Sequence, residues 1–121
     1  MSSQRAEGVH GLPARLGAVH AAVDLFCVVA VLRALHAQDV DVARAYLAVV
    51  GYDLVAFALQ LPLGLLVDRL GVLRGACLTG VALSGIALCC TTLHPTFVMA
   101  VAAMGNAIFH VGIGEGSLIQ D

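Results

Sequence analysis

Residues 64 to 71 read Gly64-Leu65-Leu66-Val67-Asp68-Arg69-Leu70-Gly71 and fall where one long apolar run stops and another is about to begin. Charged side chains are costly inside hydrocarbon, so Asp68 and Arg69 place this stretch at a membrane surface, and Gly71 lets the chain turn back. Working outward, both flanks are apolar for about the 20 residues that a helix needs to cross a bilayer. Two antiparallel membrane helices joined by a tight turn are the expectation.

The rest of the chain suits the same solvent. Of its 121 residues 60% are hydrophobic and 12% charged, and the mean hydropathy is +0.97, a balance foreign to ordinary soluble domains. Lipid is the expected surrounding. The formal net charge is -2 and the six cations, all arginine, form no basic run, which speaks against a nucleic-acid partner. No soluble catalytic domain is left outside the apolar segments, no metal-binding motif is read and no cofactor is expected, so the chain is not read as an enzyme.

Four apolar segments follow, at about residues 16–35, 45–67, 75–93 and 96–118. The fold expected is an all-α membrane protein with four transmembrane helices, in which residues 1–14 form a cytoplasmic tail and residues 15–121 the membrane region. Asp39, Asp41 and Arg44 mark the first loop, the Asp68-Arg69 stretch the second, and His94-Pro95 the third, where proline discourages continuation of the preceding helix. The first apolar run is too long for a signal-peptide core and carries Asp24, so it is expected to stay attached.

Arginine placement sets the orientation, because cationic loops are retained in the cytoplasm. With the N-terminus inside, Arg5, Arg15, Arg69 and Arg74 are cytoplasmic, and Arg33 and Arg44 lie outside beside Asp39 and Asp41. Both termini are then cytoplasmic. The absence of lysine hints at a GC-rich genome and a bacterial plasma membrane.

Polar groups inside the spans carry the functional signal, since a charged side chain at mid-depth costs roughly 2.5 to 3.5 kcal/mol on insertion scales. Asp24 lies midway between Arg15 and Arg33, with His20 one turn away on the same face, where the two can share a proton. The fourth segment repeats the arrangement with Asn106 and His110. Antiparallel first and fourth helices put His110 near the depth of Asp24, and Glu115 near that of His20, so two acid/imidazole layers are expected to face one another across a cavity. The alternative is that these side chains serve only as interhelical packing contacts.

Gly64, Leu66, Asp68, Arg69 and Gly71 match the pattern G-x-L-x-D-R-x-G, which resembles the loop between helices 2 and 3 of major facilitator superfamily transporters. Val72 and Leu73 delay the next basic residue to Arg74. The segments His20-Ala21-Ala22-Val23-Asp24, Gln60-Leu61-Pro62-Leu63-Gly64 and Phe109-His110 are similar to elements of the fosmidomycin-resistance-like subgroup. The resemblance implies the first four of twelve helices, a partial N-terminal half whose helices 1 and 4 line the substrate path. It implies a portion of a secondary active transporter or antiporter, proton-coupled and exporting small organic molecules or drugs. Such a portion would not be competent alone and would depend on the missing helices or other membrane chains.

On that resemblance His20, Asp24, Asn106, His110 and Glu115 are the proton-coupling or cavity candidates. Gly64, Asp68, Arg69, Gly71 and Arg74 form the conformational-control loop. The competing expectation is a small four-helix membrane protein that acts by helix association without transport. Cys27, Cys77, Cys89 and Cys90 sit in apolar segments and are read as small hydrophobes, with Cys89 and Cys90 poorly placed to bond each other. Gly80 and Gly85, with Ala76, Ala82 and Ser84, are expected to give the third helix a small surface for close approach. Gly112, Gly114 and Gly116 either pack closely or soften the end of the fourth.

Overall fold

The computed structural model describes the backbone of residues 3–116 and the side chains of residues 15–113. Four helices follow one another, α1 Ser3–His36, α2 Val42–Leu70, α3 Leu73–Cys89 and α4 Pro95–Gly116. Three are long and apolar enough to span a membrane: residues 15–36 of α1, all of α2, and residues 95–113 of α4. The fourth, α3, is apolar but has only 17 residues, about 26 Å of helix.

The segment expected at 75–93 therefore ends early. The Cys90 N–H still reaches the Ile86 and Ala87 carbonyls, but Leu93 N–H then bonds the Cys90 carbonyl and closes a turn. Thr91 and Thr92 fall in this turn, where hydroxyl side chains compete with helical backbone bonding. Pro95 opens α4 at its first position, where the missing N–H costs nothing. At the other end of the chain, the stretch expected as a tail is helical from Ser3 and continuous with the first span.

The loops form as their residues dictate. Asp41 caps α2 by accepting from Arg44 N–H at 3.1 Å, and Arg44 Nε pairs with the same carboxylate at 3.2 Å. Gly71 ends α2 in the left-handed region at φ 63°, donating to the Val67 carbonyl at 2.8 Å. A residue with a Cβ is strained there, so the turn read from Gly71 has a physical cause.

Helices α3 and α4 make the most extensive contact. A Cβ on Gly80 would lie 2.5 Å from the Phe109 backbone nitrogen, one on Gly105 2.9 Å from that of Ser84, and one on Gly112 2.6 Å from that of Cys77. Each step forward along α3 meets a step back along α4, so the two are antiparallel and held at glycine distance. Gly112 thus belongs to the close-packing alternative, and α4 remains helical through Gly114 to Gly116. Gly85 departs from expectation: nothing lies within 4 Å of its Cβ position, and it and Ala82 face outward while Ala76, Gly80, Ser84 and Ala87 are buried.

Helix α1 seats Val23, Cys27, Ala30, Val31 and Ala34 against this pair. The Cys27 thiol donates to Ser84 Oγ at 3.2 Å, and the Ser84 hydroxyl donates to the Gly80 carbonyl at 2.9 Å. Cys27 is therefore more than an apolar filler, although all four cysteines are free thiols. Helix α2 is the most peripheral, burying Tyr52, Ala56 and Val67 and presenting Leu47, Leu54, Leu61 and Leu65 outward. Such a face suits lipid. Pro62 sits within this helix and deprives the Ala58 carbonyl of its ordinary partner.

Candidate functional site

The His20 to Asp24 interval is one helical turn, so α1 presents both side chains from one face. His20 Nε2 lies 3.4 Å from Asp24 Oδ2. Helix α4, running antiparallel to α1, brings His110 Nε2 to 3.0 Å from Asp24 Oδ1. The aspartate thus bridges two imidazoles, one from its own helix and one from a helix 86 residues away in sequence.

The two rings also touch. Their centroids are 4.2 Å apart with the planes at 82°, an edge-to-face arrangement favoured by aromatic pairs. Asp24 and His110 meet as their matched depths suggest, and His20 joins the same cluster through Asp24 and the His110 ring. Phe109, fully buried, forms a wall of the same site with its ring centroid 6.2 Å from that of His20. Glu115, assigned to the second layer, lies outside the described side chains.

Asn106 takes a different partner from the one its spacing suggests. Its Nδ2 donates to Tyr52 Oη of α2 at 2.7 Å, and its Oδ1 is buried with no hydrogen-bond partner. An orphaned buried acceptor is costly and calls for a physical reason. A half-open cavity of about 530 Å³ lies here, lined by His20, Asp24, Asp53, Gln60, Asn106 and His110 with the apolar Val28, Ala56 and Phe57. Four of the five cavity candidates read from sequence therefore converge on one space.

Tyr52 and Asp53 were not singled out from sequence. The signal was present, since a carboxylate eleven positions into an apolar helix is as expensive as Asp24. The side chains of Asp24 and His20 are each 41% exposed and that of His110 21%, so the cluster is reachable from the cavity. The loop residues stand apart from it. Asp68, Arg69 and Arg74 are exposed at the α2–α3 turn, and Gly64 faces Val111 of α4.

No protein-family profile, no curated protein and no solved structure matches the chain. What it does rests on its own residues.

Proposed function

We propose that the chain is a portion of a secondary active membrane transporter in which the His20–Asp24–His110 cluster couples movement of a small molecule to a proton gradient. The observation that carries this reading is the convergence of ionisable groups from α1, α2 and α4 on one accessible cavity. Packing alone would be served more cheaply by serine or asparagine, because ionisable groups at mid-depth are expensive. Asp24 lies about 14 Å of helix from either flanking arginine. A carboxylate held by two imidazoles can receive a proton from one side and release it to the other.

The resemblance of the Gly64 to Gly71 stretch to the major facilitator loop supports the same reading. On it the α2–α3 turn is a control element; the arginine bias places both termini in the cytoplasm, and the absence of lysine points to a bacterial plasma membrane. The test is proton flux into proteoliposomes containing the product of the full reading frame, followed with an internal pH dye. Asp24→Asn is expected to abolish gradient-driven flux while helicity is kept. Unchanged flux in both Asp24→Asn and His110→Gln would make the cluster structural.

A further inference from the structure

We propose that His20, Asp24 and His110 form a binding site for a divalent transition-metal cation of the zinc class. The donor set comes first. Two neutral imidazole nitrogens and one carboxylate oxygen suit zinc, cobalt and nickel, whereas magnesium and calcium prefer shells built of oxygen.

Geometry agrees. Zinc holds such ligands at about 2.0 to 2.2 Å in a tetrahedron, which requires the donor atoms to stand about 3.3 to 3.6 Å apart. Here His110 Nε2 stands 3.0 Å from Asp24 Oδ1, and His20 Nε2 stands 3.4 Å from the other carboxylate oxygen, Oδ2. All three donors lie within 4.8 Å of one another, so the histidine nitrogens need close by at most about 1.5 Å to reach that spacing. Two ligands one turn apart on a helix, joined by a third from a neighbouring element, is also how helical zinc sites are built.

The surroundings favour a cation that enters and leaves. Three protein ligands leave a fourth position open, unlike the closed four-ligand sites that serve structure. All three ligands line the 530 Å³ cavity, whose lining adds the carboxylate of Asp53 and no arginine. The side chain of Gln60 adds a polar group to the same lining. Sulfur is not part of the site, because the Cys27 thiol is turned to Ser84 and the Ala102 carbonyl. The inference concerns binding, and it stands or falls independently of transport.

The experiment uses the chain purified in detergent with a tag free of histidine. Titration with Co²⁺ should give the visible absorption of a cobalt ion bound by nitrogen and oxygen, which Zn²⁺ abolishes at one equivalent and excess Mg²⁺ does not. Asp24→Asn and His110→Gln should each weaken Co²⁺ binding by at least about tenfold, the lower end of what disturbing a metal shell costs. His36→Gln and His94→Gln, in exposed positions away from the cavity, should leave it unchanged. Circular dichroism checks that each variant is folded, and His20→Gln replaces any variant that is not. Absence of a cobalt spectrum in the wild type, a thiolate charge-transfer band, or equal affinity in the folded cluster variants would each overturn the site. Metal binding without gradient-driven flux would remove the transport proposal alone, and flux lost in Asp24→Asn without metal binding would remove the metal site alone.

Discussion

His110 of α4 and Asp24 of α1 are joined at 3.0 Å across 86 residues of sequence, and this pair ties the two helices together at the cavity. A contact of this kind is measured by its non-additivity. A double-mutant cycle of Asp24→Asn and His110→Gln, read from denaturant unfolding in micelles, is expected to give a coupling energy of about 0.5 to 3 kcal/mol. Additive effects would mean that the pair contributes nothing to stability.

Gly80 and Gly85 are expected to respond in opposite ways to the same change. Gly80→Ala places a methyl 2.5 Å from the Phe109 backbone and should cost about 1 to 3 kcal/mol by forcing α3 and α4 apart. Gly85→Ala meets open space and should be neutral or stabilising by up to about 1 kcal/mol. Equal losses at both positions would contradict the packing of α3 on α4.

Tyr52→Phe removes the acceptor of the Asn106 Nδ2 bond. The expected loss is about 0.6 kcal/mol and at most about 1.7 kcal/mol, the mean and the largest value measured for side-chain hydrogen bonds between membrane helices. Adding Asn106→Leu should recover part of it, since an apolar side chain leaves no stranded donor. A further loss in the double variant would show that Asn106 has a partner besides Tyr52.

The turn between α2 and α3 separates backbone strain from control. Gly71→Ala forces a Cβ into the left-handed region at φ 63° and should cost about 1 to 2 kcal/mol. Asp68→Asn alters only an exposed side chain, so stability should be unchanged. On the transporter proposal this variant impairs gradient-driven flux while Co²⁺ still binds at the cavity. Loss of metal binding in a folded Asp68→Asn protein would break the separation between turn and cavity.

Orientation is open to labelling with a membrane-impermeant maleimide, in a background where the four native cysteines are replaced by alanine or serine. Arg74→Cys should react from the cytoplasmic side and Asp41→Cys from the opposite side. The reverse pattern would invert the proposed topology.

The four helices were legible because their signals are local. Apolar length, the charged first loop at Asp39, Asp41 and Arg44, the Gly71 turn and Pro95 each act within a few residues, and so does the one-turn spacing of His20 and Asp24. How α4 is rotated against α1 and α2 was not legible, because it depends on which small residues face inward. Gly80 and Gly85 look alike in the chain, yet only Gly80 touches α4. The packing that results sets His20 against His110 and gives Asn106 to Tyr52. Asp53 carried the same signal as Asp24, but lacked a polar neighbour one turn away to draw attention to it.

The close seating of α3 on α4 also sets an order of assembly. These helices are neighbours across one short turn, whereas the His110–Asp24 contact closes a loop of 86 residues, and the entropy lost in closing a loop grows with its length. The hairpin of α3 and α4 is therefore expected to pair before α1 docks, presenting His110 and Asn106 on a preformed surface. Under denaturant the sequence reverses. The cavity and its cluster should be lost at concentrations that leave the hairpin helical, so an ion held between α1 and α4 would act as a clasp on the step that completes the bundle.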